Sequence, residues 1–397
     1  MTRYKEIIAN SDASIFPYED YMLEPVKIDR GKLKELRDAS KKLLAIFSKY
    51  VKEKKTSLIE GSGLEAFEKI LLSDQEIMEF FRWDVIKDAN GNWKFIELNG
   101  GSTVGGLAVF KLKDIYEGLD NYQNLSDPNA LVCWGKALKS LIKGKNVVFV
   151  GDKDYLEEKY SVLKVLTREL KKHTTLVSIA SPEQLMSINN YVYLNGEKVD
   201  FVYRLFTIED VKNNYFLYKD LLRSVLLDKV MMPMGFYQSD VLGNKNAFSL
   251  LYELAEKNQL DHHEKKVIYK YVPRTINLKN ASLGYLMNNR ENLLIKSALG
   301  YGGTNIFCGW KYTALEWGSL IKECNSSTHQ FVVQEKIFFD EQKNDYFSEQ
   351  KIQSNLMNLI WGVYIVNGRY SGSVIRANIK GTDLIGGNNG SKVGIIN

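Results

Sequence analysis

The stretch "FRWDVIKDANGNWKFIELNGG", residues 81–101, decides how the rest of the chain is read. Its residues alternate in period two on either side of Asn90-Gly91, a dipeptide suited to the positive φ of a tight turn, so it predicts two paired strands. Charge belongs in such a turn, where Asp88 reads as ordinary solvated charge. Arg82, Asp84 and Glu97 lie in the strands themselves and need a reason. Residues two apart on a strand point the same way, so Arg82 and Asp84 share a face, as do Glu97 and Asn99 on the partner strand. If the two faces coincide, two carboxylates, an amide oxygen and a guanidinium meet. Hard oxygen ligands beside a cation suit Mg²⁺ bridging phosphates. A cross-strand salt-bridge ladder on a solvent-facing sheet is the plainer alternative.

Before the hairpin, residues 32–54 ("KLKELRDASKKLLAIFSKYVKEK") carry apolar side chains at helical spacing, and residues 64–81 read as helical after a Gly-Ser-Gly break. Beyond it, a buried strand opens at "NVVFVGDKD", followed by a helix over 155–173, a strand over 174–180 and a hairpin over 191–206, which together predict an open α/β layer. A Rossmann dinucleotide site is a poor match there, since "VGDKDYLEE" offers one glycine and then acids that would repel a pyrophosphate. The last 160 residues alternate helices (244–258, 313–325) with strands (292–299, 331–337, 360–368, 369–379) and read as a second α+β unit. The expected organisation is a mostly helical segment over 1–80, the hairpin and following helices over 81–145, the α/β layer over 146–240, and the second unit over 241–397.

Composition sets the outer bounds. A chain of 397 residues, 45% hydrophobic, can bury a large core, and 53 basic against 48 acidic residues leave a net charge of +5 that is spread rather than blocked into a tail. That balance asks for no nucleic acid and tolerates anionic small molecules. Cys133, Cys308 and Cys324 lack CxxC spacing and do not group with the four histidines, so neither a zinc site nor a disulfide framework is expected. No window approaches the roughly 20 apolar residues of a membrane span, and no apolar stretch follows the basic residues of the N-terminus. A reducing cytoplasm is the expected compartment.

Three further segments can carry chemistry. In "IKSALGYGGTNIF" (295–307), Lys296 sits on a strand that runs into a loop with Gly300, Gly302 and Gly303. Such glycines let backbone N–H groups converge on an anion, with the lysine supplying charge; a hairpin that merely needs glycines is the alternative. In "FVVQEKI" (331–337), Gln334, Glu335 and Lys336 interrupt an apolar strand that could face an adenine and its ribose, or simply be half exposed. In "RYSGSVIRANI", Arg376 and Asn378 share a strand face, where a guanidinium can fork onto phosphate oxygens and an amide can sit beside a metal. A surface strand would tolerate both equally.

Taken in order, these segments resemble the glutathionylspermidine synthetase family of ATP-grasp ligases. "FRWDVIKDANGNWKFIELNGGST" is similar to its F-R-x-D…G-x-x-K-x-x-E-x-N segment and "VLGNKNAFSLLYEL" to its asparagine-lysine helix entry. "LLIKSALGYGGTNIF" resembles its lysine strand and glycine loop, "FVVQEKI" its adenine hinge, "WGVYIVNGRYSGSVIRAN" its closing hairpin, and "VDFVYRLFTIED" its arginine-bearing strand. The resemblance implies an α+β and α/β protein: an ATP-grasp fold of glutathionylspermidine synthetase type, with mixed sheets, an inserted pre-ATP-grasp-like α/β layer on the substrate side, and nucleotide binding over 241–397. It implies that Asp84, Glu97 and Asn99 hold Mg²⁺ bridging ATP phosphates, that Arg82 and Arg376 reach the γ-phosphate, and that Lys245 and Lys296 hold the α and β groups. Gly300, Gly302 and Gly303 would close over the phosphates, residues Gln334, Glu335, Lys336 and Ile337 would line the adenine, and Ser102 would meet the carboxylate of the acid. The family's "ADTP" is "GGST" here, which leaves the acid open, and its amidase domain and any motif in the first 80 residues are missing.

The implied reaction activates a carboxylic acid, an amino acid or peptide, as an acyl phosphate and joins it to an amine with release of ADP and phosphate. Loading an amino acid onto the thiol of a carrier protein and a small-molecule kinase stay open as alternatives, and a catalytically silent nucleotide-binding protein is a third. The expected partners are therefore a small acid and an amine, with a carrier protein as a candidate, no nucleic acid, no membrane, and a homodimer as in related ligases.

Overall fold

The computed structural model describes residues 17–60, 64–72, 77–118, 125–300, 305–349, 351–381 and 391–397, with only the backbone of Lys69. Strands are numbered β1–β17 along the chain. A mixed seven-stranded sheet contains β1 (Tyr21–Met22), β2 (Phe80–Lys87), β3 (Trp93–Gly100), β14 (Gln342–Ser348), β15 (Lys351–Val366), β16 (Arg369–Ile379) and β17 (Lys392–Ile395), in the order β14-β1-β17-β16-β15-β2-β3. The opening and closing hairpins thus lie side by side, because β15 pairs antiparallel with β2 from Ile360↔Ile86 to Val366↔Phe80. The first half of β15 pairs on that same edge with β14. β14 continues through β1 and β17 to β16, so five strands close on themselves and the β2–β3 hairpin hangs from the second half of β15.

The pleat sorts this sheet's residues into two faces. One carries Phe81, Trp83, Val85, Phe95, Trp361, Val363 and Ile375, all buried in a core shared with helix α1 (Arg30–Glu53). That helix starts where Asp29 accepts from the Gly31 and Lys32 N–H groups, a side-chain cap that satisfies donors the first turn cannot. Leu36, Ala39, Leu43, Phe47 and Tyr50 recur at three- and four-residue spacing to form its apolar stripe. Phe47 meets Trp83 edge to face at 5.1 Å, and the indoles of Trp83 and Trp93 donate to the Ser40 and Lys32 carbonyls. The helical reading of 64–81 gives way here. A short helix spans Glu68–Leu71, and the chain is extended from Phe80 onward, because Phe80–Val85 find partners in β15 that no local periodicity announces.

The opposite face is apolar only at one end, where Phe80, Tyr364, Val374 and Ile395 pack against the segment Leu107–Ile115. Its other end carries the strand charges.

Three smaller sheets complete the chain. β4 (Val147–Val150), β5 (Val177–Ala180) and β9 (Phe201–Arg204) form a parallel sheet in the order β5-β4-β9, with alternate residues of β4 entering the two large cores. β6 (Leu185–Ile188), β7 (Tyr191–Leu194) and β8 (Glu197–Lys198) form a meander. The hairpin expected over 191–206 therefore ends at β8, and its intended second arm, β9, pairs parallel with β4 instead. β10 (Thr275–Asn277), β11 (Leu293–Ser297), β12 (Ile306–Cys308) and β13 (Phe331–Glu335) form a four-stranded sheet in the order β10-β13-β11-β12. Its apolar face, Leu293, Ile295 and Val333, packs on Trp317 and Ile321 of helix α2 (Ala314–Ser326). Among the described residues no helix is long and apolar enough to cross a membrane.

Candidate functional site

The register puts all four hairpin residues on one face, because Arg82 lies opposite Asn99 and Asp84 opposite Glu97. Asp84 is buried and doubly held. Arg82 Nε donates to its Oδ1 at 2.9 Å, and Arg376 Nη2, reaching across β15, donates to Oδ2 at 2.5 Å. The space for this comes from Gly362, which faces Asp84 on one side and Val374 on the other. A Cβ there would sit 2.8 Å from Val374 Cγ2 and 3.0 Å from Arg82 Cδ. Burial alone would raise the Asp84 pKa, but the charges of Arg376 and Arg82 outweigh it and hold the carboxyl below the usual range. Arg82 also donates to the Gly105 carbonyl, as does the Tyr364 hydroxyl.

Glu97 faces a second pair of cations. Lys245, at the entry to the helix Asn246–Glu256, lies 2.9 Å from Glu97 Oε1 and donates to the Gly300 carbonyl at 3.0 Å. Lys296 is buried on the polar face of the four-stranded sheet, where its Nζ donates to Gln334 Oε1 at 2.8 Å and Gln334 in turn donates to Thr275 Oγ1. Burial pushes the Lys296 pKa down to about 8, with the neighbouring Lys245 acting in the same sense and Glu97 opposing. The polar faces of the two sheets therefore look at each other across a narrow cleft lined by Glu97, Asn99, Gly100, Thr103, Ser239 and Gly300.

Other expected site residues fall as follows. Glu335 is exposed, and its N–H donates to the Arg274 carbonyl. Lys336 donates its backbone N–H to the Asn292 carbonyl and lays its ammonium over the rings of Trp310 and Phe338, at 4.1 and 5.0 Å, next to half-buried Ile337. Ser102 is buried with its hydroxyl turned to the Met234 carbonyl at 3.5 Å, while Thr103 lines the cleft. Gly302 and Gly303 lie outside the described residues. Asp88 organises the hairpin turn rather than merely solvating it, since its Oδ1 accepts from the Asn90 and Asn92 N–H groups.

Two residues gain roles from the fold. Gly100 permits a close approach: a Cβ would lie 2.3 Å from the Gln238 carbonyl of a π-helical turn at Tyr237–Leu242. The first glycine of "GGST" is thus a packing requirement. Arg204, at the end of β9, is fully buried; it donates to the carbonyls of Phe206 and Gly235 and to Ser239 Oγ, and lies over the Phe236 ring at 4.2 Å. It ties the parallel sheet to that turn beneath the cleft. The sequence signal for Arg204 was the resemblance of "VDFVYRLFTIED" to an arginine-bearing strand, which carried no role for the arginine.

Around the cleft, Arg82, Arg376, Lys245 and Lys296 face two carboxylates. On the same sheet face Asn99 Nδ2 and Arg376 Nε, and farther along β15 Asn358 Oδ1, are buried without partners. An unpaired buried polar atom costs about 1–3 kcal/mol, so several on one sheet face mark a place built for something else. Among the described residues no three of His, Cys, Asp and Glu group together as for a metal. The cluster gathers four cationic side chains and two carboxylates between two sheets.

Comparison with known proteins places the fold. No protein-family model and no curated protein matches the sequence. Among solved structures, a glutathione synthetase-like effector from Globodera pallida, in its apo form, superposes over 100% of this chain and 96% of its own, with a TM-score of 0.68 at 11% identity. A provisionally assigned gamma-glutamylcysteine synthetase from Methylobacillus flagellatus covers 94% of this chain and 90% of its own at 12% identity, but its TM-score of 0.45 is too low to define a shared fold. The chain has the fold of the glutathione synthetase-like protein.

Proposed function

We propose that the chain is an ATP-grasp ligase, related to the glutathionylspermidine synthetases its motifs resemble, that joins a carboxylic acid to an amine and forms ADP and phosphate. The observation that carries this reading is the meeting of Arg82 and Arg376 on buried Asp84 and of Lys245 on Glu97, with Lys296 held by Gln334 within reach of their charges, between two sheets. An excess of cations suits a polyphosphate. Both carboxylates are already paired, so the set fits Mg²⁺ that arrives with phosphate oxygens rather than a bare ion, and the unpaired Asn99 Nδ2 is a donor suited to a phosphate oxygen. Asp84, Glu97 and Asn99 would hold that Mg²⁺, which would offset phosphate charge.

Lys245 and Lys296 would hold the inner phosphates, Arg82 and Arg376 the outer one, and Gln334 to Ile337 the adenine. Gln334 keeps Lys296 pointed at the cleft. As a carboxylate oxygen of the acid attacks the γ-phosphorus and the bond to ADP breaks, the two arginines stabilise the charge on the transferring group. An amine then attacks the acyl carbon, a proton leaves the nitrogen, and phosphate departs. The acid, an amino acid or peptide, would lie beside Ser102 and Thr103.

ADP and phosphate release, measured across panels of acids and amines, tests the proposal. Release should require both substrates, and Glu97→Ala should abolish it while circular dichroism and melting stay near wild type. Release with an acid and no amine, ending in a stable phosphorylated product, would replace the ligase with a kinase; full turnover by Glu97→Ala would remove the metal assignment.

A further inference from the structure

Thr275 belongs to no motif read from the sequence, yet it stands at one end of a line of hydrogen bonds whose other end is Lys296. The register puts Thr275 directly opposite Gln334, and Gln334 opposite Leu294, two residues before Lys296. Residues two apart share a strand face. Thr275, Gln334 and Lys296 therefore lie on one face, across the neighbouring strands β10, β13 and β11.

Lys296 Nζ donates to Gln334 Oε1 at 2.8 Å, Gln334 Nε2 donates to Thr275 Oγ1 at 3.0 Å, and the Thr275 hydroxyl donates to the Pro273 carbonyl at 2.9 Å. The line can run in one direction only. An ammonium offers no acceptor, and the carbonyl at the far end offers no donor. With its hydrogen committed to Pro273, the threonine oxygen accepts from the amide nitrogen of Gln334 and so keeps the amide oxygen turned to Lys296. A flipped amide would set N–H groups against the ammonium.

An apolar pair at these two positions would fill the face with no buried polar group to satisfy, and valine suits a buried strand as well as threonine does. Thr275 is 1% exposed and Gln334 3%, and neither lines the cleft. What the line holds is Lys296, whose strand leads into the cleft wall at Leu299 and Gly300 and which the charges of Glu97 and Lys245 reach. The strand that carries Thr275 is itself anchored, since Asn277 Nδ2 donates at 3.0 Å to Oδ1 of Asn246, the residue after Lys245.

We infer that Thr275 is a positioning residue of the phosphate site: by fixing the amide of Gln334, it aims the Lys296 ammonium at bound phosphate. The inference rests on the nucleotide reading above.

The test is calorimetric titration with a non-hydrolysable ATP analogue and Mg²⁺. Thr275→Val should weaken binding at least about fivefold, and Thr275→Ser, which keeps the hydroxyl, should stay within about twofold of wild type. Lys296→Met leaves three cationic side chains in place, which keeps its weaker binding measurable. Adding Thr275→Val to it should cost nothing further, because the threonine acts through that lysine. A merely structural threonine would weaken binding in both backgrounds alike; that result, or full affinity in Thr275→Val, overturns the inference. Should Thr275→Val fail to fold because its Gln334 nitrogen is left buried without an acceptor, Thr275→Val with Gln334→Met removes both partners. That double variant should melt near wild type and show the same loss of affinity, and wild-type affinity in it overturns the inference. If wild type does not bind the analogue with metal, the nucleotide reading falls and takes this inference with it. Binding by wild type that Lys296→Met weakens and Thr275→Val does not sinks the Thr275 assignment alone.

Discussion

Lys296 shows what burial does to a charge meant for a ligand. Its pKa falls from 10.5 to about 8 because the ammonium is desolvated. Between those values the folded protein has released a proton that the unfolded chain keeps, so this group adds stability as pH rises through that window. A phosphate in the cleft reverses the preference by stabilising the ammonium. Nucleotide binding at pH 8.5 should therefore take up a proton, measured by calorimetry in buffers of different ionisation enthalpy, and Lys296→Met should abolish the uptake. Equal uptake by both proteins would show that Lys296 does not face the phosphates. Asp84, whose pKa is also lowered, changes stability in the same direction with pH but in an acidic window. Its depressed pKa gives stability that is present above the ordinary carboxyl range and lost as pH falls through the folded value.

At the scale of the element, β15 does more than its sequence suggests. A glycine inside a strand reads as a weak point, yet Gly362 is where Arg82 lies across the sheet to reach Asp84. Gly362→Ala puts a methyl group 2.8 Å from Val374 and 3.0 Å from Arg82. Of these, the long arginine side chain yields more easily. ADP formation should fall at least tenfold, while urea denaturation shows a loss of about 1–3 kcal/mol, the usual cost of overpacking. An unchanged rate would mean that Arg82 need not lie where it does. The hairpin and the lysine strand were legible because their signals are local: period two, Asn90-Gly91, a charge in an apolar run. β9 was misread as a hairpin arm because its partner, β4, lies some fifty residues upstream. Gly362 was illegible for a related reason, since a missing Cβ acquires meaning only from a strand far away in the chain.

At the scale of the molecule, the five-stranded closure is the constraint that holds the site. β17 stands between β1 and β16, so its removal opens the ring and leaves two strand edges unpaired. A chain stopped after residue 390 should lose its single cooperative thermal transition and bind no nucleotide, read by calorimetry. A cooperative transition within a few degrees of wild type would show that the ring is dispensable. None of this closure was visible in the sequence, because β1 and β17 are too short to announce themselves and β1 finds both its partners, β14 and β17, at the far end of the chain.

The ring also sets a schedule for synthesis. Strands β2 and β3 carry half of the cationic cleft, yet the strand that supports them, β15, follows well over two hundred residues later, and β17 later still. At about 5–20 residues per second, the hairpin waits on the order of tens of seconds with Trp83, Phe95 and an unmatched row of strand amides exposed. During that interval α1, already made before the hairpin, offers an apolar stripe able to shelter it from the start. Early docking of that helix on Trp83 would act as a temporary cover, so the contact that packs the back of the sheet would also guard the nascent chain against aggregation.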